Sequence, residues 1–328
     1  MNITPAKSAR LLLPALLLLA VASQLTALSV GSVHLGWDGL WRVLSGGQGG
    51  LARELVLQLR LPRAVNAFTT GALLALAGAL MQVLLRNPLA DPYVLGISGG
   101  SAVAALCAML LGLTGAVLGA AAFAGAVLSM LLVFGLARGD GGWSQTRLLL
   151  TGVIVAAGWG ALISFILALA PDAKLRGMLF WLMGDLSNAD SMTPGLLALA
   201  AGLLLALPAA RALNVLSRGD LLAGSLGVPV AGLRLHVYLL SSLLTASAVM
   251  TAGSVGFVGL IVPNMLRILA GNDMRVLLPA SALLGGSLLV LADTLARTLI
   301  APQQLPVGVI TALLGVPLFL YLLTRHYR

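Results

Sequence analysis

Charge is scarce in this chain. Asp, Glu, Lys and Arg make up 9% of its 328 residues, and 59% are hydrophobic. A soluble domain carries roughly a quarter charged residues. The composition therefore excludes an ordinary water-soluble fold, and the mean hydropathy of +1.05 agrees. Cysteine is scarcer still: Cys107 stands alone, inside an apolar run, which excludes an intrachain disulfide and a cysteine metal cluster. The three histidines, His34, His236 and His326, lie far apart and read as interfacial or surface residues rather than metal ligands. Aromatic residues amount to 5% and are not interleaved with the basic ones, so no stacking surface for nucleic-acid bases exists.

The apolar segments lack chemistry as well as charge. They hold almost no ionisable residues, Asp293 near the end of the ninth segment standing out. A proton- or sodium-coupled carrier usually needs buried carboxylates or unwound ion-coordinating helices. An intramembrane enzyme needs a nucleophile–base pair or paired carboxylates. Both readings are disfavoured, the ion-coupled secondary transporter being the main rival. No Gly-x-x-x-x-Gly-Lys-Ser/Thr pattern occurs, so any ATP-driven work is done by another chain.

Long apolar runs are what the sequence has. A spanning helix needs about 20 mostly apolar residues. Ten segments fit approximately: 11–31, 62–85, 94–112, 115–136, 148–169, 192–209, 235–252, 256–270, 276–296 and 306–324. The first follows Lys7 and Arg10. It is longer than a usual signal-peptide core, and its removal would leave an odd number of spans, so it reads as a span. With the N-terminus inside and ten alternating spans, 12 of the 19 Lys and Arg fall inside. The other seven, Arg42, Arg53, Arg60, Arg63, Lys174, Arg176 and Arg297, fall outside. The bias is the positive-inside pattern. It puts both termini in the cytoplasm and accounts for the net charge of +9 without nucleic acid. Glycine is abundant, and Gly71, Gly78, Gly152 and Gly158 are expected to let helices approach closely.

Three connecting segments carry most of the polar character. Arg60-Leu-Pro-Arg63 precedes the second span. Its two guanidinium forks suit either interfacial anchoring or bidentate pairing with a partner's carboxylates. Residues 210–234 form the longest inner loop, with Arg211, Arg218 and Asp220 and a short helix-like stretch ended by Gly227 and Pro229. It fits an interfacial helix or a lever for a soluble motor. The outer segment 170–190 holds Lys174, Arg176 and Phe180-Trp-Leu-Met-Gly184. That is either a membrane belt or a short re-entrant helix lining a cavity.

Six blocks in order, Arg60-Leu-Pro-Arg63, Arg86-Asn-Pro-Leu-Ala-Asp-Pro92, Leu95-Gly-Ile-Ser-Gly-Gly100, Phe180-Trp-Leu-Met-Gly184, Val258-Gly-Leu-Ile-Val-Pro263 and Leu305-Pro-Val-Gly308, make the chain resemble the FecCD permease family. That family comprises the membrane subunits of importers of vitamin B12, ferric siderophores and heme. The resemblance implies an all-α polytopic fold of the type II ABC importer permease, one transmembrane domain with ten helices per subunit, in the bacterial inner membrane. It implies a homodimer in the lipid bilayer with the translocation path on the dimer axis. Two cytoplasmic ATPase subunits, which carry the ATP and Mg, dock below it, and a periplasmic substrate-binding protein docks above.

On this chain the resemblance implies no cofactor. It casts Arg60, Arg63 and Arg297 as docking points for glutamates of the binding protein. The ATPase-coupling helix becomes Asp220, Leu221, Leu222, Ala223, Gly224, Ser225, Leu226 and Gly227. The cytoplasmic gate becomes Ser144, Gln145 and Thr146. The permease itself does no covalent chemistry. One departure is Asn264 after Pro263, where many relatives have His. Lys174 and Arg176 near the outer mouth would favour an anionic cargo such as heme or a ferric chelate, or serve as ordinary interfacial cations. Because iron chelates are the commonest cargo of that family, the resemblance implies an iron chelate ahead of cobalamin.

Overall fold

The computed structural model describes residues 5–31, 41, 43, 50–138, 144–187 and 191–326. His34 and Arg42, placed by the sequence reading above, lie outside the described residues, as does Arg328, one of the 12 basic residues counted inside. Among those described, all regular structure is helical. The helices are α1 (Pro5–Ser29), α2 (Gly50–Glu54), α3 (Leu61–Leu84), α4 (Ile97–Leu110), α5 (Gly115–Ala137), α6 (Gln145–Leu169), α7 (Asp172–Leu182), α8 (Thr193–Leu216), α9 (Asp220–Ser225), α10 (Val230–Ala252), α11 (Val258–Ala270), α12 (Met274–Thr298) and α13 (Val307–His326). A π-helical turn, Leu55–Arg60, joins α2 to α3. A 3-10 turn, Pro92–Leu95, precedes α4.

Every one of the ten apolar segments is helical. Among the described residues, seven helices are long and apolar enough to cross a membrane, while the apolar helices Ile97–Leu110, Val258–Ala270 and Val307–Leu322 are shorter. At 1.5 Å per residue, the 13 residues of α11 cover about 20 Å. That falls short of the roughly 30 Å of a hydrocarbon core, so the chain around α11 has to be sheltered by protein. Boundaries depart from the sequence reading on both sides of the inner loop. α8 continues past residue 209 to Leu216, through Pro208, and α10 starts at Val230 instead of 235, so the inner loop is correspondingly shorter. A helical proline forfeits one backbone hydrogen bond, which an apolar helix tolerates when its surroundings re-satisfy the freed group.

The bundle is built around α3. From Thr69 to Leu84 every residue of this helix is buried, with α8, α10, α11 and α12 packed about it. Association in lipid relies on close packing, since lipid tails are as apolar as leucine. The glycines supply it: a Cβ on Gly71 would collide with the backbone of Gly285, and one on Gly78 with the backbone of Gly259. Gly152 likewise lies against Val94, whose carbonyl would be 2.6 Å from an added Cβ. Gly158 corrects the expectation, having no atom within 4 Å of such a Cβ. It lies on an open face of α6.

The outer surface is apolar. Leu150, Ile154 and Phe165 of α6, Leu197 and Leu204 of α8, and Leu313 and Leu320 of α13 are all exposed. Such faces exceed what a water-soluble monomer leaves open, and they match a bilayer. His236, placed at an interface by sequence, lies in the second turn of α10 with Nε2 3.2 Å from the Leu205 carbonyl oxygen.

Candidate functional site

The two ends of α3 carry different chemistry. At its N-terminal end two of the three arginines singled out by sequence, Arg63 and Arg297, share one carboxylate, and Arg60 lies nearby. Asp293, near the end of α12, is 2% exposed. It accepts from Arg63 Nε at 3.1 and 3.0 Å and from Arg63 Nη2 at 2.8 Å. Arg297, one turn on, places Nε 3.1 Å from Asp293 Oδ2. Arg63 Nη1 also donates to Gln304 Oε1 at 2.9 Å. Arg60 is 6% exposed and donates through Nη1 to the carbonyls of Leu28 and Ser29, at 2.8 and 3.2 Å. Those are orphan acceptors at the C-terminal end of α1, where a cation also meets the helix dipole favourably. The structure therefore brings Arg60, Arg63 and Arg297 together, but not as three open forks. Arg60 caps α1, Arg297 is enclosed, and Arg63 has the most exposed side chain of the ion-paired two, at 14%. Asp293 as the hub was missed. The signal available was its spacing of four from Arg297, an ion-pair register on a helix.

At the other end of α3 lies α9, with Leu221 93% exposed and Leu226, just beyond it, 64% exposed, while Ala223 is buried. The helix is tied down through Asp220, which accepts from Arg86 Nη2 at 2.8 Å and pairs with Arg234 at the start of α10. The predicted gate residues sit alongside. Ser144 Oγ accepts from the Arg147 N–H at 3.1 Å and so caps α6. Gln145 donates through Nε2 to the Leu84 carbonyl at 2.7 Å, and its Oε1 lies 3.4 Å from Arg86 Nη2. Thr146 is exposed.

A cavity of about 980 Å³ opens next to them, lined by Gln82, Arg86, Asn264, Arg267, Asp273 and Phe319 among others. Asn264, the departure noted in the sequence, donates to the Pro88 and Leu260 carbonyls, both at 2.8 Å, and so fastens α11 to the 86–92 loop. Asp273 caps α12 and bonds Asn214 Nδ2 at 2.9 Å. The Arg275 guanidinium beside it holds its carboxyl well below the usual carboxylate range.

Between the two ends, non-helical backbone from distant parts of the chain meets inside the bundle. Asp185 N–H donates to the Ala252 carbonyl at 2.9 Å, Val307 N–H to Gly184 at 3.0 Å, and Gly308 N–H to Met183 at 3.1 Å. Val255 N–H donates to the Tyr93 hydroxyl at 3.1 Å, and the Ser98 and Ser254 hydroxyls are 2.8 Å apart. Residues of four of the six sequence blocks, or their immediate neighbours, thus knot together. Irregular backbone survives in an apolar bundle only where protein or trapped water satisfies it.

The residues expected at the outer mouth are engaged with their own chain. Lys174 Nζ donates to the Met109 and Leu110 carbonyls at 3.2 and 2.7 Å, which caps the C-terminal end of α4. The Arg176 guanidinium lies 5.6 Å from the centre of the Phe180 ring, a cation–π distance. Among the described residues, no three His, Cys, Asp or Glu are grouped to hold a metal ion.

Broken helices and satisfied irregular backbone inside an apolar bundle are the construction of a membrane transport protein. The chain belongs to the FecCD transport family, whose model matches residues 16–325. It is 40% identical over 330 residues to the hemin transport system permease protein HmuU of Yersinia pestis, across 97% of this chain and 96% of that one. It is 39% identical over 277 residues to the vitamin B12 import system permease protein BtuC of Escherichia coli, across 83% of this chain and 84% of that one. A solved structure of a transporter assigned to the metal-chelate ABC type, in an inward-facing conformation, superposes with a TM-score of 0.83 at 31% identity, over 97% of this chain and 99% of that one. The chain is a membrane-spanning permease subunit of an ABC transporter.

Proposed function

We propose that this permease passes a large metal chelate, a ferric siderophore or heme, from the periplasm to the cytoplasm by alternating access, driven by a separate ATPase. The hemin permease of Yersinia pestis, similar along nearly its whole length, supports that cargo class. Cobalamin, the cargo named for the Escherichia coli relative, is the comparison to run beside it. The Arg86 end of α3 is then cytoplasmic and the Arg63 end periplasmic, in the inner membrane, with both termini inside, as the distribution of basic residues favours.

Two copies form the working unit. The open face of α6, where neither Gly158 nor Gly160 meets a neighbouring atom, is available to the path or to the second copy. Loaded binding protein docks over the Asp293 cluster. Arg63 makes the outward contact, and Arg60 and Arg297 build the platform beneath it. ATP and Mg are held by the two ATPase subunits, whose closure presses on α9 and tilts the bundle.

The observation that carries this reading is the exposed Leu221 and Leu226 beside a salt-bridged anchor at Asp220. Exposed leucines on a short polar-anchored helix fit an apolar cleft of a partner. Co-purification tests it. The permease is expected to retain an ATPase subunit, and Leu221→Asp to lose it while the permease stays folded. Retention by the variant would move the motor contact elsewhere. No ATPase retained by the wild-type chain would overturn the proposal.

A further inference from the structure

We infer that Arg86 is a positioning residue that links the motor-docking helix α9 to the gate end of α6. The inference rests on the importer reading above and adds to it a route for the push.

Among the described residues, the guanidinium is the one side chain hydrogen-bonded to both elements. Its Nη2 donates to Asp220 Oδ2 at 2.8 Å, on the first residue of α9, and lies 3.4 Å from Gln145 Oε1, on the first residue of α6. Nη2 carries two N–H groups, so it serves both acceptors at once, Asp220 at an ordinary distance and Gln145 at the outer limit of a hydrogen bond. Gln145 is itself anchored, because its Nε2 donates to the Leu84 carbonyl at 2.7 Å. Asp220 is shared with Arg234 at the start of α10. One nitrogen therefore faces two acceptors on elements that move for different reasons, α9 with the motor and α6 with the gate.

The backbone supports a specific placement. Arg86 has φ +46°, in the left-handed region that a side chain-bearing residue rarely adopts. It occupies the tight exit from α3, where its N–H turns back to Val83 and the N–H of Asn87 to Gln82. The left-handed turn fixes where the arginine stem leaves the main chain, and with it the reach to both acceptors. A displacement of α9 that draws Asp220 away pulls the guanidinium, and through its second N–H the Gln145 amide, with it. A bridge held at both ends passes a shift of α9 to the start of α6 through contiguous contacts.

The test uses the complete transporter, permease with ATPase and binding protein, in proteoliposomes. Arg86→Asn keeps a residue that tolerates the left-handed turn and removes the reach. Arg234 still pairs with Asp220 in this variant; on complexes matched for bound ATPase, it is expected to cut the stimulation by loaded binding protein, taken relative to the variant's own unstimulated rate, at least about fivefold. A role confined to structure would instead lower assembly and both rates together. Adding Gln145→Ala to Arg86→Asn is expected to change little more, because both act through one link. Stimulation kept within about twofold, or losses that multiply, overturns the relay. If Arg86→Asn does not assemble, Asp220→Asn carries the same comparison with Gln145→Ala: shared losses support the relay and multiplied losses overturn it. If the wild-type components form no complex at all, the importer reading falls, and the relay with it.

Discussion

Arg63 and Asp293 are separated by 230 positions in sequence, yet the guanidinium grips the carboxylate through two nitrogens, with the closest contact at 2.8 Å. The pair fastens the start of α3 to the end of α12, and Arg297 shares the same carboxylate. Removing the anion leaves two enclosed guanidinium groups without a counter-charge. Breaking such a buried pair from one side costs about 3–5 kcal/mol. Asp293→Asn should therefore lower the thermal midpoint of the detergent-solubilised protein by many degrees. Gln304→Ala removes only the hydrogen bond to Arg63 Nη1 and should cost about 1 kcal/mol. Equal midpoints for the two variants would show that the cluster is not the clasp described.

Close helix approach at Gly78 makes a second prediction. A methyl group there meets the Gly259 backbone, which cannot retract like the end of a side chain. Gly78→Ala should cost about 3 kcal/mol or more by overpacking. Gly158→Ala, on the open face of α6, should be neutral or stabilise by up to about 1 kcal/mol through helix propensity. The two substitutions are chemically identical, so a difference in thermal midpoint reads out position alone.

Lys174 offers a separation of roles. Its ammonium rests on two carbonyls at the end of α4. Lys174→Met keeps the stem and loses the cap, and should cost about 1–2 kcal/mol with no change in preference between anionic and neutral cargo. A variant of unchanged stability that discriminates less against neutral cargo would return Lys174 to the mouth of the path.

Asp91 adds a pH dependence. Burial pushes its carboxyl up to about 6, against the opposing effect of the Tyr93 N–H that it accepts at 2.8 Å. An unfolded aspartate titrates near 3.9. The folded value is the higher one, so the folded state binds the extra proton. This residue's contribution to stability rises as pH falls through about 6 toward about 4. Asp91→Asn keeps an acceptor for Tyr93 and has no charge to lose. The difference in midpoint between variant and wild type should favour the variant at pH 7 and shrink by pH 5, measured in one detergent. A difference that does not vary with pH would contradict the assignment.

The sequence made the helices legible and left their meetings hidden. Length and apolarity are local properties, so all ten segments could be read off directly. The sixth segment reads as ending at 209 because apolarity fades at Arg211 and Asn214, whereas α8 runs on to Leu216; hydropathy marks the apolar stretch and not the helix end. Gly71 and Gly158 are indistinguishable in sequence, and only the partner helix separates a close contact from an open face. The six blocks stood out one at a time, whereas the knot tying Gly184 to Val307 and Tyr93 to Val255 is made of contacts more than 100 residues apart. Arg60 was visible as a cation on the outer side. That it caps α1 depends on where Leu28 ends up, which no spacing records.

Transport by the purified complex in proteoliposomes tests the central claim most directly. The permease is reconstituted with its ATPase, given binding protein loaded with a ferric siderophore, heme or cobalamin, and supplied with either ATP or an ion gradient. The account predicts uptake of one iron chelate that requires ATP and the binding protein and is indifferent to proton or sodium gradients. Uptake driven by an ion gradient, with no need for the ATPase, would contradict it.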